Sequence, residues 1–123
     1  MGAEIKSYRD LLVWQQAMDL AVLCYKISKM FPKEDLFGLT SQLRRSSASV
    51  AANIAEGHGR ESSATFVQYL RIAQGSLKET ETHIILAGRL ELASSTILKA
   101  ALSSCEDIGK MLRSLIRTIQ DKK

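Results

Sequence analysis

The side chains of this chain that could carry out chemistry are few, and the sequence places none of them beside the partner that catalysis needs. His58 lies between two glycines with no nucleophile next to it, and this corner lacks the Lys-Ser/Thr of a phosphate-binding loop. Glu79 and His83 could form one weak surface metal pair, but the Glu-x-x-His motif of di-iron bundles is missing. We therefore predict a non-enzymatic protein with no metal site and no cofactor.

Basic residues concentrate at the end of the chain. Five of the 17 basic residues but only one of the 13 acidic residues fall in 108–123, so the whole net charge of +4 lies there. The basic residues are Lys110, Arg113, Arg117, Lys122 and Lys123. The first three are spaced i, i+3, i+7 and share one helix face, which could bind a phosphate backbone of RNA or DNA. The alternative is that they only complement the dipole at a helix C-terminus.

The stretch 42–60 also contains several polar residues. Its small and apolar residues recur at helical spacing, which predicts a helix. The buried face of this helix is thin, so a partner helix could approach closely. Candidates for a polar network lie within three turns of that face; they are Arg44, Arg45, Asn53 and Glu56. Any of these groups that is buried must be paired, because burying an unpaired charge destabilises the folded state by several kcal/mol.

The composition favours helices as the elements that position these groups. The chain has 123 residues, 46% hydrophobic content, a single proline and no convincing alternating segment. We predict one all-α domain, an up-down antiparallel four-helix bundle with helices over about 8–30, 39–57, 63–92 and 95–121. Ser7 with Asp10 should cap the first helix, and Gly57 should end the second in a left-handed conformation.

The third and fourth helices show apolar residues at intervals of three and four, which favours antiparallel packing. The third carries Phe66, Leu70, Ala73, Leu77, Thr80, Ile84 and Ala87, and Gly75 and Ser76 in its middle should let a neighbour approach. The fourth carries Leu98, Ala101, Cys105, Ile108, Leu112, Leu115 and Ile119. Cys24 and Cys105 both fall in apolar stripes and are predicted to be plain buried thiols.

The first helix has two apolar stripes, and one would suffice for the core of a monomer. The first stripe contains Val13, Ala17, Leu20, Cys24 and Ile27. The second, rotated by about 100° from the first, contains Leu11, Trp14, Met18 and Tyr25. We predict that these four residues form an interface with further copies of the chain. The alternative is a wide face covered by helices of the same chain.

Several segments between Tyr8 and Leu92 also resemble a known family; they are DLLVWQQAMDL, LTSQLRRS, ASVAANIAEGHGR and GSLKETETHIILA. This set resembles the four-helix-bundle proteins encoded in intervening sequences of bacterial 23S ribosomal RNA genes. It is distantly similar to the accessory variability determinant of diversity-generating retroelements, which works with RNA and a reverse transcriptase. The resemblance implies a helical bundle assembled as a homopentamer, with no established reaction.

The resemblance also makes Arg44, Arg45, Glu79 and Glu81 motif positions. Opposite charges in a bundle attract each other, so we expect Glu79 or Glu81 to pair with Arg44 or Arg45. Arg60 belongs to the same motif region and is added to the predicted polar network.

Two functions remain open at this stage. One is a non-enzymatic homo-oligomer that binds nucleic acid, RNA above all, as an accessory to a ribonucleoprotein. The other is a self-assembling scaffold that binds another protein and no nucleic acid. The sequence lacks an apolar run of the roughly 20 residues that span a bilayer, so we expect no membrane partner and a cytoplasmic location.

Overall fold

The computed structural model describes residues 5–122 and contains four long helices. They are α1 (Leu12–Ser28), α2 (Ser41–His58), α3 (Ser63–Arg89) and α4 (Ser95–Asp121). The connection between the first two, residues 29–40, includes a 3₁₀ turn, Lys33–Asp35, and a π-helical turn, Leu36–Thr40, and the other two connections are short. Each helix packs against the next, and α4 packs against α1, which closes the bundle. No strand occurs in the described part of the chain. The predicted all-α, up-down four-helix bundle is confirmed.

The first helix begins later than the sequence predicted. Ser7 and Asp10 form the expected capping box, but the box caps a separate 3₁₀ turn, Tyr8–Asp10, and Leu11 is extended. Tyr8 packs edge-on against Trp14 with ring centroids 5.2 Å apart, which folds this turn over the start of α1. The same helix ends at Ser28, ahead of the predicted end at position 30.

The core contains the heptad positions of all four helices, with two corrections near helix ends. In α3 the first buried position is Val67, and Phe66 is only half-buried. In α4 the last buried position is Ile116, and Leu115 and Ile119 are half-buried. A straight helix drifts by about 20° per heptad, so over seven turns the buried stripe moves to a neighbouring position.

Helices α2 and α3 approach closely because small side chains line their contact. Ser46 is fully buried and accepts a hydrogen bond from Thr80 Oγ1 of α3 at 3.0 Å, and a Cβ atom at Gly57 would lie 2.5 Å from the Cβ of Tyr69. Gly57 lies inside α2 with negative φ, so the predicted left-handed end at this residue is wrong. The predicted close approach is found at Ser76, whose Oγ lies 2.9 Å from Ser49 Oγ of α2. It is wrong for Gly75 within the single chain, since a Cβ there would meet no atom within 4 Å.

The connection between α3 and α4 fixes the relative position of the two helices. Leu92 donates its backbone N–H to the carbonyl of Ala87 at 3.0 Å, and Glu91 adopts a left-handed φ of 56°. The side chain of Ser94 then caps α4 by accepting from the backbone N–H of Ile97 at 3.4 Å. The chain therefore reverses within a few residues, and α4 runs back along α3.

Candidate nucleic-acid interface

The basic stripe of α4 lies on its outer surface. Lys110, Arg113 and Arg117 are exposed, whereas the opposite face of the helix inserts Ile108, Leu112 and Ile116 into the core. The buried stripe thus fixes the direction in which the three cations point. Lys122 directly follows α4 and is exposed. Lys123, also predicted to bind nucleic acid, lies outside the described residues.

An arginine of α3 joins this stripe. Arg71, Arg113 and Arg117 line one cleft of about 230 Å³ between α3 and α4, together with Gln74, Ile116 and Gln120. The two helices are antiparallel, so the first half of α3 lies beside the second half of α4. We name this space the arginine cleft. Sequence reasoning missed Arg71, because its place beside Arg113 and Arg117 is apparent only when α4 packs against α3.

A second cleft continues the same groove toward the other end of the bundle. It measures about 270 Å³ and is lined by Lys78, Glu81, Cys105, Glu106, Gly109, Lys110 and Arg113. Glu81 forms an ion pair with Lys78, with 3.0 Å between Glu81 Oε1 and Lys78 Nζ. The groove between α3 and α4 therefore has an end of mixed charge and an end, the arginine cleft, whose lining contains no carboxylate.

The predicted polar network is divided among separate contacts. Arg45 on α2 contacts the carboxylate of Glu79 on α3, one of the four pairings that the sequence left open. The same carboxylate lies 3.2 Å from His83 Nε2. Arg44 turns toward α1, where its Nε donates to Ser28 Oγ at 2.7 Å.

The other members of that network lie apart from the Arg45–Glu79 pair. Glu81 pairs with Lys78 of the same helix and lines the cleft between α3 and α4. Asn53 donates to the backbone oxygen of Ser49 at 2.9 Å, within α2. Arg60 lies 3.6 Å from Glu56 and also donates to the hydroxyl of Tyr69 at 2.9 Å. The contacts of Asn53 and Glu81 thus lie within a single helix, whereas each of the three arginines contacts another helix.

The second apolar stripe of α1 is only partly exposed. Leu11 and Trp14 are half-buried and pack against the core, whereas Met18 and Tyr25 are 40% and 48% exposed. The exposed part continues through Val22 and borders a shallow cleft of about 420 Å³. Arg44 stacks over the Tyr25 ring at 4.4 Å and fixes one edge of this surface. We call Met18, Val22 and Tyr25 the α1 surface.

Both cysteines are buried thiols, as predicted from their apolar stripes. Burial raises the pKa of the Cys24 thiol to about 11, although a hydrogen bond with Ser47 lowers it in part. Burial likewise raises the pKa of the Cys105 thiol to about 12. Thiols with such pKa values are poor nucleophiles at neutral pH, so neither cysteine supplies a reactive group.

The described residues contain no cluster of three or more His, Cys, Asp or Glu side chains that could hold a metal ion. In the same part of the chain, no helix is long and apolar enough to cross a membrane.

This chain is similar in sequence and in fold to known proteins. The sequence profile described as 23S rRNA-intervening sequence protein matches residues 9–114. A crystal structure of a protein with unknown function, from the S23 ribosomal protein family of Bacteroides thetaiotaomicron, is similar to this chain with 28% identity and a TM-score of 0.79. The similarity covers 85% of this chain and 98% of that chain. No curated protein matches the sequence.

Proposed function

Because the chain belongs to the family of 23S rRNA-intervening sequence proteins, we propose that it is a non-enzymatic protein that binds RNA through the groove between α3 and α4. The observation that supports this proposal is the arginine cleft, in which three cations from two helices line a space whose lining contains no carboxylate. The protein would act as an accessory component of a ribonucleoprotein. Its family has no established activity that argues for catalysis.

The spacing of the cations suits a nucleic-acid backbone. Lys110 and Arg117 are seven residues apart on α4, a separation of roughly 10 Å at about 1.5 Å per residue. Arg71 and Lys78 repeat the same interval on the facing edge of α3. Two parallel rows of positive charge can follow one strand and release its counterions, which gives affinity without base contacts.

The chain offers few aromatic side chains on which bases could stack. The described tyrosines near arginines, Tyr8, Tyr25 and Tyr69, are already engaged by Arg9, Arg44 and Arg60. We therefore propose binding that depends on phosphate contacts more than on base sequence. Affinity should accordingly fall steeply as the salt concentration rises.

The test is binding of a structured RNA and a matched duplex DNA to the full chain across a salt series. A variant with Lys110→Glu, Arg113→Glu and Arg117→Glu should lose binding by at least about a hundredfold, because three phosphate contacts become repulsive. The matched control reverses Lys33, Arg89 and Lys99, which changes the net charge equally but lies outside both clefts of the groove. RNA binding that survives in the first variant, or equal losses in both, would contradict the proposal.

A second candidate function is supported by the α1 surface. Met18, Val22 and Tyr25 expose apolar area that the chain itself leaves uncovered. We propose that further copies of the chain cover it, in a homopentamer as the family resemblance implies. A scaffold that only assembles and binds another protein is the alternative to the RNA proposal, and it predicts that the groove variant behaves like the wild type.

A further inference from the structure

We propose that the arginine cleft is a specific site for a terminal phosphate, a phosphomonoester at the end of a nucleic-acid strand, and that the rest of the groove binds internal phosphates. This inference rests on the proposed RNA-binding function and deepens it. Three observations support it: the unengaged state of the three arginines, the number of donors they present, and the unequal charge at the two ends of the groove.

The arginines of this protein divide into two groups. Four of the eight are engaged by aromatic rings, hydroxyls or carboxylates within the fold; they are Arg9, Arg44, Arg45 and Arg60. No ion pair among residues 5–122 involves the other four, which are Arg71, Arg89, Arg113 and Arg117. Three of these four line one cleft. The fold therefore brings three of these four guanidinium groups together in one cleft, and only Arg89 lies apart from them.

The donors in this cleft outnumber the acceptors of an internal phosphate. A phosphodiester carries one charge and two non-bridging oxygens, whereas a terminal phosphate carries nearly two charges and three free oxygens at neutral pH. Each guanidinium can pair with two oxygens through its planar fork. Three such groups, from both α3 and α4, are thus matched to the greater charge and oxygen count of a terminal phosphate.

The remaining lining of the cleft suits the end of a strand. Gln74 and Gln120 add neutral hydrogen-bonding groups that can meet a ribose or a base edge, and Ile116 forms the apolar base. RNA is commonly recognised at single-stranded ends, whose groups are accessible in a way that those of a duplex are not. A space of about 230 Å³ between two helices admits such an end, while a duplex can touch only its rim.

The charge of the groove also gives the strand a direction. Arg113 lines both clefts, and beyond it Lys78 and Lys110 continue the row of cations. Glu81 and Glu106 lie at that other end and lower its net charge. The group with the greatest negative charge is therefore expected in the arginine cleft, with the following phosphates toward Lys110.

The experiment compares one single-stranded RNA of fixed sequence in three forms, with a 5′-phosphate, with a 3′-phosphate, or with hydroxyls at both ends. Binding to the full chain is measured by fluorescence anisotropy at low and at physiological salt. We expect a phosphate on one of the ends to increase affinity by about tenfold, since it adds charge-assisted hydrogen bonds to several arginines. Equal affinity for all three forms would overturn the inference while leaving the proposed RNA binding intact.

A matched pair of variants tests the location. Arg71→Gln should reduce the preference for the phosphorylated form to about one, with a much smaller loss for the hydroxyl form, because the cations of α4 remain. Arg89→Gln makes the same chemical change on the same helix outside the cleft, and it should keep the preference. Arg71 is exposed, so both variants are expected to fold, which circular dichroism would verify. A preference that persists in Arg71→Gln would contradict the assignment.

Failure of the proposed function can be told apart from failure of this inference. If no form of the RNA binds, AMP and adenosine are compared by NMR chemical-shift mapping, with inorganic phosphate as a third probe. AMP binding that Arg71→Gln removes would retain a phosphomonoester site for a small molecule and reject the RNA partner. Absence of binding by AMP and phosphate would reject the site itself.

Discussion

Arg44 and Arg45 are adjacent in sequence, yet they serve different helix contacts. Successive residues of an α-helix are rotated by about 100°, so two neighbouring arginines cannot face the same partner. Arg44 contacts α1 through Ser28 and Tyr25, and Arg45 contacts Glu79 of α3. The sequence identified the two arginines and both acidic candidates. It could not select the pair, because that choice depends on how α2 is rotated against its neighbours.

The Arg45–Glu79 pair should contribute little to stability. Its side chains are 55% and 37% exposed, and ion pairs of this kind are worth about 0.2–1 kcal/mol after solvent screening. A double-mutant cycle with Arg45→Gln and Glu79→Gln, read by urea unfolding, should therefore give a coupling energy of about 0.5 kcal/mol that decreases in high salt.

Glu81 provides the control for this cycle. It is bound to Lys78 and faces α4, so Arg45→Gln and Glu81→Gln should be additive. Coupling of Arg45 to Glu81 in place of Glu79 would show that α2 and α3 are rotated differently in solution.

The two cysteines show what sequence predicts well at the scale of the residue. Cys24 and Cys105 lie at heptad positions, and burial there follows from the periodicity alone. The raised pKa of each thiol is then a direct consequence of desolvation. Arg71 shows the opposite case, since its importance arises only when α4 lies beside it.

At the scale of the helix, two glycines that lie inside helices differ in whether packing requires them. Gly57 and Gly75 were both read from the sequence as places where a helix ends or a neighbour approaches. The structure shows that only Gly57 is needed for packing, because Tyr69 and Phe66 lie 2.5 and 3.1 Å from the position of its missing Cβ. Propensity alone cannot separate the two glycines, since the difference lies in the residues of α3 opposite each of them.

Replacing each of these glycines with alanine should change the stability of the protein in opposite directions. Gly57→Ala should destabilise the protein by about 1–3 kcal/mol, because an overpacked contact outweighs the gain in helix propensity. Gly75→Ala should stabilise it by about 0.5–1 kcal/mol, because the methyl group meets open space within the chain and alanine favours the helix.

Thermal and urea unfolding at one fixed protein concentration would measure both changes. A stabilised Gly57→Ala would mean that α2 and α3 are farther apart than described. A destabilised Gly75→Ala, together with a change in molecular mass, would instead place a neighbouring copy against the middle of α3.

The heptad pattern of the sequence predicts most of the buried positions in the bundle. Every buried apolar position of α1 was predicted, since Val13, Ala17, Leu20, Cys24 and Ile27 form one stripe on a helix of five turns; the buried Ser28 at the helix end was not. In the longer α3 and α4, the predicted buried stripe differs from the observed one by one residue near one end of the helix. Periodicity thus identifies a stripe reliably, while its exact course over seven turns depends on helix drift and on the partner helix.

For the whole molecule, the question is whether the two candidate surfaces act together. The α1 surface and the groove between α3 and α4 involve different helices. In a ring of five the α1 surface of each copy meets a different face of the next copy, and we propose that this face lies outside the groove. Each copy carries a net charge of +4. Assembly of five copies would collect a charge of about +20 and so increase the attraction for a polyanion.

We therefore predict that disrupting the α1 surface weakens RNA binding without touching the groove. Met18→Asp places a charge on an exposed apolar position and should give a particle of about 13.6 kDa by light scattering, with the helical content of the wild type. Met18 is preferable to Trp14 for this test, because Trp14 packs against the core and a charge there would disturb folding. The smaller particle should bind RNA more weakly and with a shallower dependence on salt, since fewer phosphates are neutralised at once.

Ile85→Asp is the matched control for this prediction. Ile85 is 47% exposed on α3, close to the exposure of Met18, and it belongs to neither surface. The control should keep both the mass and the affinity of the wild type. A monomeric wild type would remove the assembly proposal, and an assembled Met18→Asp would move the interface to another helix. If Met18→Asp is monomeric but binds RNA with unchanged affinity and salt dependence, then a single groove supplies all of the binding, and assembly serves another purpose.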